Sequence, residues 1–305
     1  MTDGDVVARA VAVLRGGGVV ALPTETVYGL AADVANADAV ARVYAIKGRP
    51  PDHPLIVHVH DAAALDGYVA EITPALRALA ARFWPGPLTA IVARGPHTPR
   101  SVTGGQDTVA VRVPEHPLAR AILSAFGGAL AVPSANRFGR VSPTSAQHVR
   151  ADLGAEVDLI VDGGPARVGV ESTIVDLTGA VPAVLRAGAI TPSQLGDALG
   201  APVVTRVGGT VRAPGTLASH YAPRALVVLR DDEARDAEAR RRAAAGERVA
   251  LLALPNDPAA AARTLYATLR ALDADGYDTI VATLPPDTEA NAAVRDRLAR
   301  AAAPR

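Results

Sequence analysis

Cysteine is absent from the chain, which excludes disulfide bonds, thiolate nucleophiles and cysteine-ligated zinc. Aromatic residues are scarce at 3%, so a core must be built from Ala, Val, Leu and Ile; hydrophobic residues at 49% supply enough of them. Net charge is missing too, because 31 Lys and Arg balance 31 Asp and Glu. A protein that holds nucleic acid by bulk electrostatics needs a basic excess, and this chain has none. No run reaches the roughly 18 uninterrupted apolar residues that a membrane span needs. The first residues, MTDGDVVARAVAVLRGGG, are acidic at their start and hold no long apolar stretch, so they do not read as a signal peptide. The expectation is a cytoplasmic protein that makes no membrane contact. Lysine is nearly absent: Lys47 stands alone among the basic residues. A lysine is a compact point charge and an arginine a planar fork. The exception is therefore either chance or a contact to a phosphate or carboxylate oxygen.

What is present is an alternation of strand-like and helix-like runs. At 305 residues the chain suits one large domain or two ordinary ones. Asp5 to Leu14 has helical spacing and stops at Gly16-Gly17-Gly18. Asn36 caps a second helix that runs to Lys47-Gly48-Arg49. Further helices are predicted near Thr73–Phe83, His116–Phe126 and Ser145–Leu153. VVALP, PLIVHV, LTAIVA, TVAVRVP, ALAVPS, LIVDGG, STIVDL and AVLRAG read as strands. A stretch rich in Gly and Pro follows, and then a shorter βαβα pattern that predicts a small doubly wound domain. The expected division is 1–203, a linker over 204–224, and 225–305. No G-x-G-x-x-G, no G-x-x-x-x-G-K-[ST] and no H-E-x-x-H occurs.

Several segments carry polar groups where a ligand crevice would lie. Thr24, Glu25, Thr26 and Tyr28 follow a strand end, where α/β folds often bind ligands; an ordinary turn would look the same. After Lys47 and Arg49, prolines at 50, 51 and 54 force an extended path. In the strand beyond, alternation puts Ile56, His58 and His60 on one face and Leu55, Val57 and Val59 on the other. Arg112 interrupts an apolar strand, so its charge must meet a ligand or an ion-pair partner. Ser134, Asn136, Ser142 and Thr144 offer short donors after the strand ALAVP. Ser172 and Thr173 open one strand, Arg186 closes the next, and His220-Tyr221 lie in the linker.

Taken together, PTETVYGL, KGRP with PLIVH, SAN followed by SPT, ESTIVD and LRAG resemble the threonylcarbamoyl-adenylate synthase family, the YrdC-like enzymes of tRNA modification. Their order and spacing match along most of the first 190 residues. The linker APGTLASHYAP and the tail AAVRDRLARAA resemble the family's longer, two-domain form. The resemblance implies an α/β fold: a twisted open mixed sheet with a concave basic cavity, plus a small Rossmann-like C-terminal domain. It implies a nucleotidyltransferase that converts L-threonine, bicarbonate and ATP, with Mg2+, into threonylcarbamoyl-AMP and diphosphate. A partner enzyme then moves the group to the adenosine beside the anticodon, with at most weak direct tRNA binding by this chain.

Carried over residue by residue, Thr26, His58, Arg112, Ser134 and Ser172 fall where threonine is held. Lys47, Arg49, His53, Thr108, Asn136, Thr144, Arg186 and Tyr221 fall where the nucleotide is held. Lys47 and Arg49, with Ser134 and Asn136, match the family's catalytic motif, and no side-chain metal ligand is assigned. Two other readings carry weight: a non-catalytic RNA-binding protein, disfavoured by neutral charge and few aromatics, and a carbamoylating maturation enzyme, disfavoured by the lack of cysteine.

Overall fold

The computed structural model describes residues 2–206, 208–216 and 219–304; Leu217 and Ala218 of the expected linker lie outside the described residues. The elements run α1 (Asp3–Arg15), β1 (Val20–Leu22), β2 (Gly29–Asp33), α2 (Ala37–Lys47), β3 (Ile56–His58), α3 (Pro74–Phe83), β4 (Leu88–Ala93), β5 (Thr108–Arg112) and α4 (Pro117–Phe126). Then come β6 (Leu130–Ala131), α5 (Ala146–Leu153), β7 (Leu159–Ile160), β8 (Thr173–Asp176), β9 (Ala183–Arg186), α6 (Pro192–Leu199) and β10 (Val204–Thr205). The last segment holds β11 (Leu226–Leu229), α7 (Asp232–Ala244), β12 (Val249–Leu251), α8 (Pro258–Ala274), β13 (Thr279–Ala282) and α9 (Ala292–Ala302).

Local chemistry sets the helix ends. The Asn36 side chain accepts from the Ala39 backbone N–H, and Gly48 closes α2 in the left-handed region at φ 61°, which glycine adopts without a Cβ penalty. Thr191 with Gln194 forms a capping box that starts α6, a helix not expected from the sequence. Strand β2 was also not expected. Its sequence GLAAD lacks β-branched residues, and it forms because β1 and β6 flank it.

The first ten strands make one mixed sheet in the order β10-β9-β8-β4-β5-β3-β6-β2-β1-β7. Strand β10 falls inside the stretch expected as linker, and its parallel pairing with β9 extends the sheet instead. Strand β3 lies inside the sheet, parallel to β5 and antiparallel to β6. Their register puts His58 opposite Arg112, and both side chains share one face. The other face is apolar: Leu55, Val57, Val59 and Val111 join the largest buried cluster with residues of α2 and α3. Alternation along β3 therefore falls as the sequence reading has it.

The second sheet is parallel, in the order β11-β13-β12. The connection from β11 to β12 passes over the place that β13 later fills. It packs on the first sheet through a shared apolar cluster in which Val27, Val141, Val170 and Tyr221 meet Leu265, Tyr266, Val294 and Leu298. Arg270 of α8 adds an ion pair to Asp152 and donates from Nε to the Ser142 carbonyl at 3.2 Å. Among the described residues, no helix is long and apolar enough to cross a membrane.

Leu30 of β2 is fully buried, whereas Leu226 of β11 is 50% exposed. Leu30→Ala is expected to cost about 2–5 kcal/mol, seen as a lower urea midpoint, and Leu226→Ala to stay within about 0.5 kcal/mol.

Candidate functional site

On the polar face of the large sheet, Thr24, Thr26, Arg49, Ile56, His58, Arg112, Ser134, Glu171, Ser172 and Arg186 surround a cavity. Pro214, Gly215, His220 and Tyr221 of the linker close over it. Three guanidinium groups, those of Arg49, Arg112 and Arg186, thus face one lining carboxylate, Glu171, which leaves the wall cationic.

Each charge has a built-in partner. Arg112 donates to Glu25 at 2.6 Å with both side chains buried, and Glu25 also accepts from the Glu115 backbone N–H at 3.0 Å. The ion pair and the cavity position are thus both occupied by the same arginine. Arg186 donates to the Ser172 carbonyl at 3.1 and 2.9 Å, to the Ser172 hydroxyl at 3.0 Å and to the Pro214 carbonyl at 3.1 Å. One guanidinium therefore ties the end of β9 to the start of β8 and to the linker. Arg49 donates to the Pro54 carbonyl at 2.7 Å and lies 5.5 Å from the Phe138 ring centroid. Burial lowers its pKa to about 10. Carbonyl oxygens satisfy Arg49 and Arg186 without cancelling their charge, so these two keep a field for an anion.

His58 is buried, and burial with the Arg112 charge lowers its pKa to about 3. His220 is likewise lowered to about 3, chiefly by burial. Both imidazoles are neutral at physiological pH. Two buried polar atoms at or just behind the cavity have no protein partner, Asn136 Oδ1 and His220 Nδ1.

Glu171 was not singled out from the sequence. Its carboxylate accepts from the Ser142 hydroxyl at 2.5 Å, the Tyr266 hydroxyl at 2.9 Å and Arg297 Nε at 2.8 Å. Burial alone would raise its pKa, but the Arg297 and Arg186 charges and the Ser142 hydrogen bond hold it down to about 2. Arg297 is 126 residues away in the chain, so no local signal marks the pair.

The linker adopts a strained path. Tyr221 sits at φ 60°, a region that bulky side chains avoid, and its hydroxyl donates to the Gly215 carbonyl at 3.4 Å. Gly215 has φ 76°, and a Cβ there would meet the Tyr221 oxygen at 1.9 Å. Only glycine fits. The rings of His53, Phe138, His220, Tyr221 and Tyr266 follow one another edge to face or tilted, with centroids 4.1 to 5.8 Å apart.

Of the predicted residues, Thr26, Arg49, His58, Arg112, Ser134, Ser172, Arg186 and Tyr221 line the cavity. Lys47, His53, Thr108, Asn136 and Thr144 do not. Lys47 Nζ donates to the main-chain carbonyls of Ser134 at 2.5 Å and Asn136 at 2.7 Å, and burial with the nearby Arg49 charge pushes its pKa well below the usual lysine value. Its Nζ is held between two main-chain carbonyls, and a compact donor suits the space between them. Asn136 Nδ2 donates to the carbonyls of Arg137 at 2.7 Å and Arg140 at 2.9 Å. Thr144 lies against His148, whose Nδ1 is 3.3 Å from its hydroxyl. Thr108 shares a face of β5 with Arg112 but stands at the other end of the strand. His53 packs edge-on against Phe138.

Glu25 is committed to Arg112 and Glu171 to Arg297, and among the described residues no group of three His, Asp or Glu could hold a metal.

Residues 12–188 match the family model of Sua5, YciO and YrdC, described as telomere recombination. Residues 190–303 match the threonylcarbamoyl-AMP synthase C-terminal domain. The threonylcarbamoyl-AMP synthase of Bacillus subtilis is 38% identical over 99% of this chain and 94% of its own length. That of Pyrococcus abyssi is 38% identical over 94% of this chain and 91% of its own. The crystal structure of P. abyssi Sua5 complexed with L-threonine superposes with a TM-score of 0.93 at 35% identity, covering 99% of this chain and 95% of that one.

The two buried histidines make stability pH-dependent. Unfolded histidines take up protons near 6.5, while the folded chain refuses them until about 3. Stability is therefore full above 6.5 and falls with decreasing pH, by about 1.4 kcal/mol per pH unit for each histidine. His58→Gln is expected to flatten the fall in urea midpoint measured between about pH 7 and about pH 5. An unchanged slope would count against a neutral His58.

Proposed function

The chain belongs to the Sua5, YciO and YrdC family in its two-domain form, and from that premise we propose that it makes threonylcarbamoyl-AMP from L-threonine, bicarbonate and ATP. The observation that carries this reading is the cationic cavity itself, lined by Arg49, Arg112 and Arg186 with hydroxyls of Thr26, Ser134 and Ser172 between them.

The chemistry requires anions to meet. The threonine amine adds to the carbon of bicarbonate, water leaves, and a carbamate forms. A carbamate oxygen then attacks the α-phosphorus of ATP, the bond to the bridging oxygen breaks, and diphosphate carries away the electron pair. At about 4 Å, two unit negative charges repel by roughly 4 kcal/mol at an effective dielectric near 20. Arg49 and Arg186 offset that repulsion and stabilise charge on the departing diphosphate. Magnesium enters with ATP as part of the substrate, held by phosphate oxygens rather than by side chains.

Threonine is held at the His58, Arg112 and Ser172 end. Arg112 meets its carboxylate, and a neutral His58 accepts a hydrogen bond from its amine or hydroxyl. The register of β3 against β5 places these two residues side by side. Thr89 and Ser172 hydroxyls lie 2.7 Å apart and orient one another. No side-chain nucleophile is needed. Holding the carbamate in line with the α-phosphorus supplies about 7–11 kcal/mol of the acceleration.

The 134–136 loop takes its shape from Lys47, which makes Lys47 a positioning residue in this conformation. The product is a mixed anhydride that a tRNA-modifying transferase consumes.

Diphosphate release from ATP is expected only when threonine and bicarbonate are both present. Arg186→Met should lower kcat/KM by about a hundredfold. Release indifferent to threonine would refute the reading.

A further inference from the structure

The role of the second domain is written in α9. Arg297 is fully buried and touches three separate segments of the cavity wall. Its Nε donates to Glu171, the residue before Ser172, at 2.8 Å. Its Nη2 donates to the carbonyl of Ala187, the residue after Arg186, at 3.0 Å. Its guanidinium lies 4.9 Å from the ring centroid of Tyr221. Its remaining partner is Asp296 of the same helix, at 2.5 Å. Tyr266 of α8 supplies a second hydrogen bond from the small domain to Glu171.

We propose that Arg297 is a positioning residue through which the second domain neutralises Glu171 in the cavity wall, so that an entering nucleotide meets cations rather than a bare carboxylate. This deepens the synthase reading and rests on it for the identity of the nucleotide. The argument is electrostatic. Glu171 lines the same cavity as Arg49 and Arg186. Without Arg297, an ionised carboxylate would face the phosphates in a site with little water to screen it. The same side chain supports Tyr221 in its strained conformation, so charge compensation and closure of the linker share one group.

The test is equilibrium binding of ATP with Mg2+ to the full chain, compared among wild type, Arg297→Met, Glu171→Gln and the double variant. Arg297→Met is expected to weaken ATP binding by about tenfold or more, because a like charge is uncovered. With Glu171 neutral, Arg297 becomes dispensable: the double variant should bind ATP within about threefold of Glu171→Gln alone. A role in packing alone would instead weaken the double variant against Glu171→Gln as much as Arg297→Met weakens the wild type. That additive pattern would overturn the proposal. So would wild-type affinity in Arg297→Met, or a double variant that fails to fold where Glu171→Gln folds. Should Arg297→Met itself not fold, the comparison of the double variant with Glu171→Gln decides the matter. ATP affinity is read without turnover. Absence of threonine-dependent diphosphate release in the wild type would therefore sink the synthase reading while leaving this comparison intact.

Discussion

An ionised carboxylate cannot be buried alone, because its desolvation cost exceeds what a domain's net stability can absorb. Glu171 is buried and ionised, and the groups that make this tolerable are Arg186 of β9, Ser142 from the loop before α5, Tyr266 from α8 and Arg297 from α9. Two of them belong to the second sheet's layer. These contacts reinforce the docking of the two sheets, alongside the shared apolar cluster around Tyr221 and Leu265. They also bear on the cavity, since Ser172 and Arg186, which line it, are the chain neighbours of Glu171 and Ala187, the two residues that Arg297 holds. The same group of side chains thus belongs to the interdomain contact and to the wall of the candidate site.

The scarcity of aromatic rings gains meaning in this light. The core of the large sheet is aliphatic, as the composition dictates, and few rings are left over. Phe138, Tyr221 and Tyr266 join His53 and His220 in one succession that runs from the basic loop after α2, past the linker, into the second domain. Flat, rigid groups with two rotatable bonds lose little entropy when ordered, which suits a surface that must close over a ligand.

Much of this was legible in the sequence. The helix capped by Asn36 and ended at Gly48 announced itself by its cap, its spacing and its glycine. The alternation of PLIVHV sorted His58 from Val57 before any fold was known. Arg112, isolated in an apolar strand, had to meet a partner or a ligand, and it pairs with Glu25 while lining the cavity. What stayed hidden was whatever depends on distant chain. Strand β2 forms from GLAAD because its neighbours supply hydrogen bonds, and helix α6 rests on a short capping box around a glycine-containing run. Lys47 was noticed for its rarity, yet the carbonyls that hold it lie more than eighty residues on, so its orientation could not be read. Glu171 and Arg297 each looked ordinary, and only the docking of two sheets makes them a pair.

Arg297 has a further consequence that concerns time rather than space. A ribosome builds the chain from its N-terminus, and the large sheet can begin to form while the rest is still being made. Glu171, Ala187 and Tyr221 all precede Arg297, so each waits for a partner that is synthesised after it. Until then those three groups lack their contacts to Arg297. On the proposal above, the charge of the cavity wall is completed only when the final helix has been made and docked.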